Sequence, residues 1–345
     1  MSLQTEILEQ PEVLGRLLQN QRHEVAHIAA EIRKRDIQYV FLAARGTSDN
    51  AGRYANYLWG ARNGLPLALA TPSLFTYYHE PPRLKGALVV GVSQSGQSPD
   101  ICSVVEEGKH QGCMTLAITN APDSPLAQTS DFVLNIEAGK EAAVAATKTY
   151  TAELMAIAML SAALQDNETS WQELAGVSGW VSKVLEQQPK IELLAQRYRY
   201  MNRCVVLGRG YNYSTAFEWS LKMKELSYVE AEPYSSADFM HGPVAMVEQG
   251  FPVMAVIPEG KVFDSLFEVV QHLREDKKAE LAIISNNDRA LVLAKSPLAL
   301  PREIPEWLTP LVAIIPAQLF AYHLTVVKGF NTETPRSIHK ITETQ

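Results

Sequence analysis

An offset of 164 residues lays the second half of this chain over the first. It sets "CVVLGRGYNYSTAFEWSLKM" on "VFLAARGTSDNAGRYANYLW" and pairs Arg209 with Arg45, Gly260 with Gly96 and Asp264 with Asp100. Self-similarity at so long a period reads as two copies of one folding unit. Within the first copy, "YVFLAA" (39–44), "LPLALA" (65–70), "ALVVGV" (87–92), "MTLAIT" (114–119) and "FVLNI" (132–136) have the length and apolar content of strands. Between them, "NAGRYANYLWGARNG" and "PDICSVVEEGKHQG" have helical spacing and end in glycine, a common helix stop. Strands alternating with helices predict an α/β fold, each copy a mostly parallel sheet flanked by helices in a flavodoxin-like three-layer arrangement. The expected organisation is a leading helical segment (1–30), a first domain (31–165), a helical linker (166–190), a second domain (191–328) and a C-terminal tail (329–345).

Composition narrows the class of partner. Hydrophobic residues make up 46% and charged residues 20%, the balance of a globular protein, and the net charge of -7 offers no basic field for nucleic acid or an anionic membrane. No transmembrane helix is expected, because no uninterrupted apolar run reaches about 18 residues. The opening "MSLQTEILEQPEVL" lacks the apolar centre of a signal peptide. Three cysteines, Cys102, Cys113 and Cys204, sit beside apolar runs and read as buried free thiols of a reducing, cytoplasmic setting.

The copies differ after the third predicted strand. There the first copy has "SQSGQS" and the second "PEGKVF". In open α/β sheets, ligands bind at the carboxyl ends of strands. Ser98 followed by Pro99 is a strong helix start, so the loop brings hydroxyls, amides and a positive helix end to one place. That chemistry suits an anion such as phosphate. Thr47 and Ser48, after the first strand, fall at the same sheet edge. An ordinary serine-rich surface loop is the competing reading.

Six segments occur in order along nearly the whole chain: "RGTSDNA", "SQSGQSPD", "AVAATKTYTAEL", "GRGYNYSTAFEWSLKMKELSYVEAE", "MHGPVAM" and "PRSIHKITET". Together they resemble the double sugar-isomerase (SIS) family, in particular the isomerase module of glucosamine-6-phosphate synthase. The resemblance implies two tandem SIS domains and a phosphosugar held by Ser93, Gln94, Ser95 and Ser98, with Thr47, Ser48, Val144 and Ala145 assisting. It implies Glu225 as the group that moves a proton between C1 and C2, and His241 as the ring-opening group. Lys340 would form an imine with the sugar carbonyl, and Lys222 would lie near the sugar. Neither cofactor nor metal is implied. The implied assembly is a homodimer, with His241 serving the neighbouring subunit's site.

Each of these residues also has a plain reading. Glu218, Lys222 and Glu225 at i, i+4 and i+7 describe a solvated, salt-bridged helix face. His241 before Gly-Pro suits a turn, and Lys340 an unordered tail. Departures from the synthase pattern are Arg45 for a cysteine, Lys140 for a threonine and Ala146 for a serine. The first strand arrives by residue 39, so no counterpart of the synthase's glutaminase domain is expected, and the chemistry is expected to run without glutamine. The expected reaction is glucosamine-6-phosphate plus water giving fructose-6-phosphate and ammonia.

Other readings stay open. They are an isomerase or deglycase for another phosphosugar (galactosamine-6-phosphate or a fructose-amine 6-phosphate) and a non-catalytic sugar-phosphate sensor. "HEVAH" (23–27) matches the zinc-protease pattern without a third ligand at a suitable spacing, and "GRGYNY" is an incomplete dinucleotide fingerprint.

Overall fold

The computed structural model describes residues 2–338 and residue 340, in two units that each hold one five-stranded parallel sheet. His339 and residues 341–344 of the last motif lie outside the described residues, as do residues 1 and 345.

The first unit comprises residues 12–141 and 148–175 together with Lys340. Its strands are β1 (Tyr39–Ala43), β2 (Leu67–Leu69), β3 (Ala87–Ser93), β4 (Met114–Thr119) and β5 (Phe132–Asn135), in the order β2-β1-β3-β4-β5. All five expected strands are present, and the pairing is entirely parallel. Every residue of β3 and β4 is buried, which is why both read as unbroken apolar runs rather than alternating ones. The helix Gly46–Asn63 stops at Gly64, whose φ of 68° only glycine adopts cheaply. The chain leaves β1 towards one edge and β3 towards the other, so the carboxyl ends of these two strands flank the switch point of the sheet.

The second unit comprises residues 2–11, 142–147 and 176–338. It contains β6 (Arg203–Gly208), β7 (Glu230–Ser235), β8 (Pro252–Val256), β9 (Glu280–Ser285) and β10 (Ser296–Ala299), ordered β7-β6-β8-β9-β10. Topology is thus repeated, and the offset of 164 carries β5 onto β10 and the helix Pro99–His110 onto Phe263–Glu275 with little slippage.

Two segments divide differently from the sequence expectation. The leading segment is two helices, Leu3–Leu8 and Gln10–Arg33, and residues 2–11 pack with the second unit. Buried Gln10 secures them by donating to Gln318 at 2.8 Å. The tail is divided too: Phe330 packs edge-on to Tyr228, and the Arg336 N–H donates to the Tyr228 hydroxyl at 2.8 Å, both within the second unit.

Among the described residues, one helix is long and apolar enough, by length and composition alone, to cross a membrane. It spans Glu306–Val327, and 83% of the relevant window is buried inside the protein. It packs on the helices Gln188–Arg197 and Tyr213–Ser227, which accounts for its hydropathy as that of a core helix. Cys113 and Cys204 are buried as expected, whereas Cys102 is only half-buried, since its helix presents one side to solvent.

Candidate functional site

The serine-rich loop leaves β3 at the switch point of the first sheet and runs into the helix Pro99–His110. Ser93 Oγ accepts the Gly96 N–H at 3.2 Å, and Ser95 Oγ accepts the Gln97 N–H at 3.3 Å. Ser98 occupies the N-cap position without a side-chain capping bond. Among the described residues, the hydroxyls of Ser93, Ser95 and Ser98 therefore donate to no acceptor. The Gln94 carbonyl accepts the Asn120 N–H at 3.2 Å and ties the loop to the end of β4. Gly96 has φ 61°, and a Cβ there would stand 2.0 Å from Ser124 Oγ, so the turn admits no side chain. What results is a tight turn with three hydroxyl protons to spare, beside the N-terminus of a helix, the chemistry of an anion cradle.

Behind it, the loop after β1 is held by charges that sequence reading missed. Ser48 Oγ donates to Glu153 Oε1 at 2.8 Å, and both residues are buried. Its hydroxyl proton is committed to a carboxylate, so Ser48 supports the loop rather than offering a spare donor like the other serines. Half-buried Thr47 lies beside it in the first turn of the helix Gly46–Asn63. Arg45 Nε donates to Asp100 Oδ2 at 2.7 Å, joining the β1 loop to the helix that follows the serine loop. A carboxylate in the apolar run "AELMAIAML" was the visible sign of Glu153; Asp100 left none.

The matching loop of the second unit is filled by its own chain. Glu306 Oε1 accepts the Lys261 N–H at 2.9 Å, and a Cβ on Gly260 would meet Glu306 Cδ at 2.2 Å. One copy thus supplies spare donors where the other supplies a carboxylate.

Glu225, Lys222 and His241, the residues expected to do acid–base work, lie in the second unit. On the helix Tyr213–Ser227, Lys222 Nζ lies 3.3 Å from Glu218 Oε1 and 2.6 Å from Glu225 Oε2. This is not a solvated face: the side chains of Glu218 and Lys222 are 0% and 1% exposed, and that of Glu225 is 23% exposed. Burial alone would lower the Lys222 pKa, but the two carboxylates outweigh it and raise the value above the ordinary lysine range. Glu225 therefore has one oxygen anchored by a cation and the other without a hydrogen-bond partner among the described residues. His241 follows the short helix Ser236–Met240; it is exposed, and its ring makes no hydrogen bond or ion pair with any described residue. Gly242 next to it has φ 151°.

Val144 and Ala145 lie in the segment 142–147, which packs with the second unit. That segment is pinned by Glu6, a buried residue whose carboxylate accepts the Ala142 and Ala143 N–H groups at 2.5 and 3.3 Å. Lys340 belongs with the first unit instead, where its Nζ donates to Glu141 Oε2 at 2.6 Å. Glu141 is buried and also accepts from the Thr149 backbone and hydroxyl at 3.1 and 2.8 Å. Lys140 is exposed. His23 and His27 are exposed on the helix Gln10–Arg33, and no group of three or more metal-ligating side chains occurs among the described residues.

Comparison with known proteins accords with this arrangement. Residues 32–163 and 198–328 each match the SIS domain family. The chain is 31% identical over 348 residues to glutamine–fructose-6-phosphate aminotransferase (isomerizing) of Thermus thermophilus, and 34% identical over 346 residues to that of Shouchella clausii. Each alignment covers 97% of this chain and 57% of the relative, so the chain spans little more than half the length of these curated proteins. Among solved structures, the C-terminal domain of the Francisella tularensis glucosamine-fructose-6-phosphate aminotransferase superposes with a TM-score of 0.86 at 27% identity, covering 96% of this chain and 98% of that one. Glucosamine-6-phosphate deaminase of Thermotoga maritima shares the fold, with a TM-score of 0.81 at 19% identity over 100% of both chains. With both halves matched and one sheet order used twice, the chain belongs to the SIS domain family, as a tandem double-SIS protein.

Proposed function

We propose that this protein is a glucosamine-6-phosphate deaminase/isomerase. The observation that carries the reading is Glu225: a carboxylate fixed through one oxygen by a buried ammonium, with its second oxygen available as a base. The serine loop would seat the 6-phosphate. His241 would move the proton that opens the pyranose. Glu225 would then take the C2 proton and return it to C1, so that the aldehyde becomes a hydroxymethyl group and the C2 amine an imine. Water hydrolyses the imine to the ketone, releasing ammonia and leaving fructose-6-phosphate. Lys340 Nζ donates to Glu141, so the imine-forming role implied for it requires Nζ to leave that contact.

The test is product release from glucosamine-6-phosphate with no glutamine present. Fructose-6-phosphate and ammonia in equal amounts are the expected result. Binding without turnover sinks the deaminase and leaves a sensor. Turnover of galactosamine-6-phosphate or a fructose-amine 6-phosphate instead transfers the same machinery to another sugar.

The exposed ring of His241, flanked by Met240 and Met246 at 41% and 44% exposure, supports a homodimer in which this histidine serves the neighbouring subunit's site. Sedimentation of the protein is expected to give twice the mass of one chain; a monomer at micromolar concentration with full activity removes that part of the proposal.

A further inference from the structure

We infer that Arg45, aimed by Asp100, is a direct ligand of the substrate phosphate; the inference rests on reading the serine loop as the phosphate seat. Asp100 is the second residue of the helix that begins where the loop ends, and its side chain is fully buried. Both carboxylate oxygens are engaged, Oδ1 by the Ile101 N–H at 2.9 Å and Oδ2 by Arg45 Nε at 2.7 Å. The guanidinium is therefore held by one nitrogen against an immobile partner, while its side chain remains 50% exposed. Nη1 and Nη2 make no hydrogen bond or ion pair with any described residue. A guanidinium fixed through Nε presents the rest of its planar fork as donors, a geometry suited to phosphate. It does so at the switch point, on a carboxylate two residues beyond Ser98, where the serine loop ends.

The second unit provides an internal comparison. There Arg209 spends Nη1 on Ser265 at 2.6 Å, Asp264 pairs with Arg289 rather than with Arg209, and Glu306 fills the loop. Only the half with the serine loop has its arginine aimed by the aspartate. Two carboxylates on neighbouring helices are engaged elsewhere. Asp49 pairs with Arg53 at 3.1 Å, and Glu153 accepts from Ser48.

A second role for Arg45 would be neutralisation of Asp100, and a double-mutant cycle separates the two. Calorimetry would measure affinity for inorganic phosphate and for fructose-6-phosphate in wild type, Arg45→Met, Asp100→Asn and the double variant, each checked for folding by thermal melting. Arg45→Met is expected to weaken both ligands roughly 10- to 100-fold, the worth of one hydrogen bond to a charged group. The double variant is expected to remain as weak. Recovery of wild-type affinity in the double variant, or no loss in Arg45→Met, overturns the inference. Should Arg45→Met fail to fold, Arg45→Lys, which keeps the charge without the fork, is expected to bind several-fold more weakly than wild type; equal affinity overturns the inference equally. Loss of binding in Ser95→Ala with Arg45→Met unaffected leaves the phosphate seat standing without Arg45. Wild type that binds neither ligand removes the seat and Arg45 together.

Discussion

Glu225→Gln is expected to lower turnover of glucosamine-6-phosphate by roughly 100- to 10,000-fold, the usual contribution of a positioned general base. Glutamine keeps the shape of glutamate, and its amide oxygen can still accept from Lys222 Nζ, which stands 2.6 Å from Glu225 Oε2. The fold should therefore survive, and what is lost is the capacity to hold a proton. Because the serine loop is in the first unit and Glu225 in the second, affinity for fructose-6-phosphate should stay within a few-fold of wild type. A single-turnover assay alongside calorimetry separates the two quantities. If the variant retains turnover within tenfold of wild type, another group carries the proton.

Lys222→Met is expected to cost about 3–5 kcal/mol of stability, the usual cost of breaking a buried ion pair from one side. Domains have about 5–15 kcal/mol in all, so much of the margin would go. The reason is Glu218, whose side chain is 0% exposed and would lose the ammonium that faces it. The double variant Glu218→Gln with Lys222→Met should recover most of the loss, because it removes the buried charge together with its partner. pH gives an independent check. In wild type the folded Lys222 pKa is raised above its ordinary 10.5, so its contribution is complete below that value and is lost only as the pH climbs past the raised one. Wild type should thus show no dependence on Lys222 across the neutral range. In Lys222→Met the buried Glu218 carboxyl favours its protonated form, so the folded state binds more protons than the unfolded state and stability rises as the pH falls towards the ordinary glutamate range. Urea titrations at several pH values would show this. A uniform loss under about 1 kcal/mol would mean that the pair is no more than a surface salt bridge.

The structure also shows which kinds of information lie in the sequence. The strands of the first sheet were legible because parallel strands covered on both faces must be apolar throughout, as β3 and β4 are. The repeat was legible because two copies of one unit need the same apolar pattern at the same spacing, and β1–β5 and β6–β10 use one order. The serine loop stood out because its counterpart, "PEGKVF", lacks every hydroxyl. Other residues could not be placed this way. The spacing of Glu218, Lys222 and Glu225 is the same on a solvated face as on a buried one, and only the packing of their helix against the helix Thr309–Val327 and β7 distinguishes them.

By itself, then, the sequence determined the elements, their repetition and the loop that departs from it, since these follow from the polarity and turn chemistry of neighbouring residues. Tertiary structure alone decided the state of the charges: Lys222 between two carboxylates, Ser48 committed to Glu153, Arg45 held by Asp100, and the second loop filled by Glu306. The interaction energy of a charge depends on what surrounds it within a few ångströms, and for these residues some of that comes from positions up to 105 apart in the chain.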